Sequence, residues 1–211
     1  MIIDLTVPLN EQTPVYPGDP KTKIEPAGVL TNDGYTDHYV SIGTHVGTHI
    51  DAPMHMLANG SSLDQVNVEQ FVGRGRLVEV SGNDFNAVKN ADVQAGDIVL
   101  FRTGMSNKYN DPVYFEEYPA MSEDIAQYLV EQKVKMVGFD TCSADNQDGF
   151  PIHKTLLNGG VLIIENLTNL DQLIGKEFTL YALPIKLQVD GAPARVIAVL
   201  WSSQTSKLDK L

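Results

Sequence analysis

The sequence predicts a mixed α/β fold built in packed layers, with more strand than helix. Three observations predict it. Short apolar runs recur along the 211 residues, separated by Pro, Gly, Asn and Asp. Only one stretch carries a long helical stripe. Strands and helices do not alternate regularly, which favours mixed sheets with few helices over a repeating barrel.

Taken in order, residues 2–7 open the chain as a strand. The loop PVYPGDP at 14–20 follows; its prolines fix φ and Pro-Gly-Asp signals a turn, so it presents Tyr16 on a stiff support. Residues 36–42 form a second strand. A short helix is expected at 68–72, and strands at 76–80 and 98–103. The clearest helix is 122–132. Ser122 can cap it, Glu123 and Asp124 suit its positive end, and Ile125, Leu129 and Val130 line one face. Strands at 136–139, 161–164 and 178–183 enclose a short helix at 152–157. The apolar run 194–200 reads as a strand buried on both faces. No repeat or flexible linker divides the chain, so residues 1–211 are expected to form one domain, large enough to bury a full core.

Composition excludes several classes. With 43% hydrophobic and 20% charged residues, the chain is ordinary for a soluble globular protein. A net charge of −12 repels phosphate, so no nucleic-acid partner is expected. No apolar run reaches the length of a membrane span, and MIIDLTVPLN has no basic leader pattern. The single cysteine, Cys142, cannot pair internally. A cytoplasmic location is the expectation.

The densest chemistry lies at 45–55, HVGTHIDAPMH, which holds three of the chain's five histidines and Asp51. Histidine is the commonest metal ligand at neutral pH, and aspartate is its usual oxygen partner. His45, His49, Asp51 and His55 all have odd numbers and would share one face of an extended segment. Gly43, Gly47, Thr44 and Thr48 disfavour a helix, and Pro53 interrupts any ladder. A strand end running into an irregular segment is expected.

A second cluster follows the strand at 136–139. The stretch 138–167, GFDTCSADNQDGFPIHKTLLNGGVLIIENL, carries Asp140, Asp145, His153 and Glu165. Glu165 stands at a strand end, where a carboxylate suits a site better than a core. His45, His49, Asp51, His153 and Glu165 make a mixed nitrogen and oxygen set, which suits zinc, manganese or iron better than magnesium or calcium. Two divalent ions sharing Asp51 would use all five, and with a hydroxide such a centre carries about +1 charge. His55 offers a further possible ligand.

Other readings compete. Cys142 and His153 could form a thiolate–imidazole couple, although a lone cysteine after a strand is more often inert. A metal-stabilised binding protein without turnover is a further class; the absence of a Cys₄-type set favours an enzyme. His38, Asp37 and Asp19 read as surface residues. Tyr109, Tyr114, Phe115 and Tyr118 form an aromatic loop that packs, covers the site or meets a second subunit.

These residues resemble the cyclase family, which includes bacterial kynurenine formamidases and isatin hydrolases. The family pattern HxGTHxDxPxH is matched by His45, Gly47, Thr48, His49, Asp51, Pro53 and His55, and the later histidine and ENL glutamate by His153 and Glu165. The resemblance runs from DLTVPL and PVYPGDP to the last apolar strand. It implies a swivelling β/β/α domain and a homodimer or larger homo-oligomer. It implies two divalent ions, zinc first and manganese as in the isatin hydrolases. One ion falls to His45, His49 and Asp51, the other to Asp51, His153 and Glu165. His55 becomes the proton carrier and Tyr16 a substrate-binding wall. The implied activity is metal-dependent amide C–N hydrolysis by a metal-bound hydroxide. The implied substrate is a small aryl formamide such as N-formylkynurenine, on the route from tryptophan to kynurenine, or an isatin-type cyclic amide. Two departures fall where substrate is chosen. Tyr16 stands where the formamidases commonly carry tryptophan, and Ala144-Asp145-Asn146 lacks a proline common after their Asp-x-x-Ser segment.

Overall fold

A computed structural model describes residues 1–201 of the chain. Its strands are β1 (Ile2–Asp4), β2 (Lys23–Gly28), β3 (Asp37–Ser41), β4 (His49–Asp51), β5 (Val72–Glu79), β6 (Ile98–Arg102), β7 (Met136–Phe139), β8 (Leu162–Glu165), β9 (Phe178–Pro184) and β10 (Gly191–Leu200). The α-helices are α1 (Leu30–Asp33), α2 (Glu123–Glu131) and α3 (Pro151–Asn158), joined by several single 3₁₀ turns. The architecture is mixed α/β with few helices, as the sequence predicts.

Eight strands form one sheet in the order β1-β10-β4-β8-β7-β6-β5-β9, and β9 also pairs with β10. The sheet therefore closes into a barrel-like ring. Closure rests on the length of β10, which spans 10 residues. One edge runs antiparallel along β9 from Ala194 to Leu200. The other edge takes β4 at Gly191 to Pro193 and β1 at Ile197 to Val199. Strands β5, β6, β7 and β8 are mutually parallel.

Alternation along these strands makes two cores. Ile98, Leu100, Met136, Leu162 and Ile164 point into the ring, with Phe178, Leu180, Val196 and Ala198. Val99, Phe101, Val137, Phe139 and Ile163 point outward, where α2 supplies Ile125 and Leu129 and α3 supplies Ile152 and Leu156. Strands buried on both faces read as continuous apolar runs, which is why β6, β7 and β8 were visible from sequence.

Three expectations change, and one strand is found that the sequence does not predict. The run at 194–200 is not buried on both faces: Ala194, Val196 and Ala198 are buried, while Arg195 between them is exposed. The helix expected at 68–72 is a 3₁₀ turn, Val68–Phe71, capped by the Asn67 side chain and leading directly into β5. The strand expected at 2–7 keeps its ladder only through Asp4, with an isolated bridge from Thr6 to Leu167. Strand β2, KIEPAG, has no apolar alternation and contains proline; it forms only against β3, in a separate two-stranded ribbon. Among the described residues no helix is long and apolar enough to cross a membrane.

Candidate metal centre

The site grows from β4, which lies between β10 and β8. His49 and Asp51 are two residues apart on this strand and share a face. Antiparallel pairing sets His49 directly opposite Glu165 on β8. Three of the expected residues thus meet through a ladder register. His45 and His55 arrive differently from the expectation of one extended face. His45 enters from the turn before β4, where Gly47 has φ of 61°. His55 closes a 3₁₀ turn, Pro53–His55, started by Pro53. His153 comes from the first turn of α3, whose outset is fixed by Asp145: one carboxylate oxygen accepts from Ile152 N at 2.9 Å and the other from His153 N at 2.9 Å.

Asp51 is the pivot and is fully buried. Its Oδ1 lies 2.8 Å from His45 Nδ1 and 3.3 Å from His49 Nε2. Its Oδ2 lies 3.4 Å from His153 Nε2. Glu165 completes the ring, 3.5 Å from His49 Nε2 and 3.1 Å from His153 Nε2, while Ala144 N donates to its Oε1 at 3.0 Å. Each of these histidines turns its other nitrogen outward to an acceptor. His49 Nδ1 meets Gly47 O at 2.8 Å, His153 Nδ1 meets Asp145 Oδ2 at 2.7 Å, and His45 Nε2 meets Asp190 Oδ2 at 2.9 Å.

This pattern fits a divalent ion. Imidazoles that hold metals commonly commit the outer nitrogen to a carbonyl or carboxylate, which leaves the inner lone pair for the ion. Here two inner atoms, His49 Nε2 and Asp51 Oδ2, are buried without any hydrogen-bond partner. An orphaned buried donor and acceptor are costly unless something else satisfies them. The electrostatics point the same way. Burial opposes charge on His49, but Asp51 and Glu165 outweigh it and raise the ring to about 10. His45 is raised against burial by Asp51, and His153 well above the ordinary range by Asp145, Asp51 and Glu165. Asp51 and Glu165 are held below the usual carboxylate range despite burial, chiefly by these histidines. With no ion bound, protonation of these raised imidazoles would supply positive charge beside the carboxylates. Within 4.8 Å, three groups of ligand atoms form: His45, His49 and Asp51; Asp51, His55 and His153; and His45, His55 and Asp190. Metal-bound imidazoles would instead be neutral at their inner nitrogens.

His55 is unlike its neighbours. Burial lowers its affinity for a proton, and the nearby His45 and His153 add to the effect. Its ring lies 3.9 Å from that of His45 and 5.8 Å from that of His153.

Above these groups lies a cavity of about 240 Å³. His45, His55, His153 and Glu165 line it, together with Tyr16, Met56 and Phe150. Phe115 meets Tyr16 edge-on at 6.2 Å, and Phe150 meets His153 edge-on at 6.0 Å. Larger hollows of about 460 and 510 Å³ lie elsewhere and contain no histidine.

All seven sequence-derived site residues gather here: His45, His49, Asp51, His55, His153, Glu165 and Tyr16. Cys142 also lines the cavity, but its thiol hydrogen-bonds to the Tyr114 carbonyl at 3.4 Å, and burial pushes it up to about 12, so it is a poor nucleophile. Asp140 is structural: it accepts from Thr103 N at 2.7 Å and Gly104 N at 2.8 Å, tying the end of β6 to β7. The aromatic loop packs, with Tyr114 donating to Asn166 Oδ1 at 2.8 Å and Tyr118 to Asp145 O at 2.7 Å. His38 is exposed on β3, and Asp19 is exposed at the cavity rim. Sequence reasoning missed Asp190 and Phe150, and gave Asp145 no role. Asp190 sits in VDGAP, which signals only a turn; Phe150 has φ of 52°, which its residue type does not announce.

Comparison with known proteins gives the same direction. The Cyclase family model matches residues 3–146. An uncharacterised protein of Methanocaldococcus jannaschii is 35% identical, covering 94% of this chain and 99% of its own. A kynurenine formamidase of Bacillus mycoides is 30% identical, covering 92% and 95%. Among solved structures, a potential metal-dependent hydrolase with cyclase activity is 33% identical with a TM-score of 0.79, covering 94% and 96%. Isatin hydrolase A from Labrenzia aggregata, bound to benzyl benzoate, is 26% identical with a TM-score of 0.83, covering 94% and 93%.

Proposed function

The chain belongs to the cyclase family, and on that premise we propose that it is a metal-dependent hydrolase of an amide C–N bond, acting on a small aryl formamide such as N-formylkynurenine. The observation that carries this reading is the convergence on Asp51. A buried carboxylate with an unpartnered oxygen, three outward-braced imidazoles and Glu165 meet beneath a cavity walled by aromatic side chains.

His45, His49 and Asp51 would hold one divalent ion, and Asp51, His153 and Glu165 a second; zinc is the first choice, manganese the other. Ions bound there supply Lewis acidity, which activates water near neutral pH and stabilises negative charge developing on a carbonyl oxygen. The remaining work falls to the chain. His55, kept unprotonated by burial, has a free lone pair at neutral pH; it can accept a proton and return it to the departing nitrogen. Phe150 and Tyr16, each supported by an edge-on aromatic or imidazole neighbour, offer apolar faces that orient an aromatic ring and exclude water. Cys142 contributes wall rather than chemistry.

A hydrolysis panel with metal quantification tests the reading. It compares N-formylkynurenine, other aryl formamides, isatin and small cyclic amides, with Zn²⁺ and Mn²⁺ supplied separately. Aryl formamide turnover that is lost on chelation and restored by either ion is expected. Preference for isatin would move the substrate to cyclic amides, the choice favoured by the likeness to isatin hydrolase A. Retained metal with no turnover of any compound would favour a binding protein.

A further inference from the structure

Asp190 lies in the turn before β10, far in sequence from both histidine clusters, yet its Oδ2 is 2.9 Å from His45 Nε2 and 3.5 Å from His55 Nδ1. Both rings address the same carboxylate oxygen and lie 3.9 Å apart. The turn is built for this approach. Ala52, the residue before the 3₁₀ turn of His55, donates its N–H to Asp190 O at 2.8 Å, which locks the two loops together. The next residue is glycine, and a Cβ on Gly191 would fall 2.7 Å from the His45 ring and 2.8 Å from Ile50 O. Only a glycine leaves room for His45 to lie against the end of β10.

A carboxylate accepts but does not donate, so an imidazole nitrogen facing one carries a proton. His45 faces Asp190 through Nε2 and Asp51 through Nδ1, and an ion held at Nδ1 would displace the proton there and leave the one on Nε2. We infer that Asp190 is a positioning residue for both rings: it holds the proton of His45 on Nε2, so that Nδ1 faces Asp51 as the metal-binding atom, and it biases the proton of His55 onto Nδ1, so that Nε2 is the atom that accepts and delivers the reaction proton. The assignment makes His45 differ from His49 and His153, whose Nε2 atoms face inward. It also gives the site a third outer acceptor, matching Gly47 O and Asp145. The inference rests on the metal reading above.

The test uses full-length protein with Zn²⁺ as the only added ligand. Zinc affinity is measured by competition with a chromogenic chelator for wild type, Asp190→Ala and Asp190→Asn. Histidine tautomers are read in the zinc-loaded proteins from two-bond ¹H–¹⁵N correlations. Wild type should show His45 protonated at Nε2 and His55 at Nδ1. Asp190→Ala should lose about 10–100-fold in zinc affinity, the usual range for removing the outer partner of a ligating histidine, and should lose the single His45 tautomer. Asp190→Asn keeps an acceptor oxygen and should retain the His45 tautomer with a smaller loss of affinity. Unchanged affinity and tautomers in Asp190→Ala would overturn this inference alone. A wild-type protein that takes up no zinc would overturn the metal reading and this inference with it.

Discussion

Two residues divide the labour of the site, and their environments say how. Asp51 is fully buried and faces His45, His49 and His153. Replacing one oxygen by an amide group removes the charge and turns N–H donors towards imidazoles that need an acceptor. Asp51→Asn should therefore lower metal content at both proposed positions together, read by elemental analysis after desalting; full occupancy would remove Asp51 as the bridge. His55 is the opposite case, a ring at the cavity wall that burial keeps neutral. His55→Ala should reduce kcat by roughly 10²–10⁴-fold, the usual worth of general acid–base catalysis, with metal content near wild type. Loss of metal in that variant would make His55 a ligand.

At the scale of elements, the site depends on how α3 begins. Its first residue follows Phe150, a residue in the left-handed region with no capping side chain, so Asp145 caps the helix from outside and holds the His153 ring with the same carboxylate. Asp145→Ala leaves two buried N–H groups unsatisfied, at about 1–3 kcal/mol each, and frees His153 to rotate. The melting temperature and zinc affinity should fall together; a change in neither would separate α3 from the site. Elements like this also show what a sequence can tell. Strands β6, β7 and β8 were legible because burial on both faces writes an unbroken apolar run. HVGTHIDAPMH was legible because its ligands are packed into one segment. Strand β2 was not, since its pairing with β3 imposes no burial and leaves no alternation. The role of Asp190 was invisible because it arises when β10 closes the ring and brings the turn at its start beside β4. Register and closure are properties of paired strands, and no single segment encodes them.

At the scale of the whole molecule, the buried charge of the centre links folding, pH and metal. His49 is raised from 6.5 to about 10, so its protonation stabilises the ion-free fold fully below pH 6.5 and progressively less as pH rises through about 10. His45 and His153, also raised, act in the same direction. Asp51 and Glu165, both lowered, contribute above the ordinary carboxylate range and lose that contribution in acid. His55, lowered, favours folding where it is neutral and so adds nothing to the alkaline loss. The ion-free protein should therefore lose stability between pH 6.5 and 10, on the alkaline side rather than only in acid. An ion binding the inner nitrogens displaces those protons, so its affinity rises over the same interval. Ligand that binds only the folded state adds stability of RT ln(1 + [L]/Kd), so as Kd falls with rising pH the stabilisation by metal should widen. Differential scanning fluorimetry at about pH 6 and about pH 8.5, with chelator or excess Zn²⁺, reads this directly through linkage. The expected result is a falling melting temperature without metal, a flatter one with it, and proton release on zinc uptake by calorimetry in two buffers. An equal metal-induced shift at both pH values would mean that the histidines are not protonated in the ion-free fold. It would remove the argument that protons stand in for cations around Asp51.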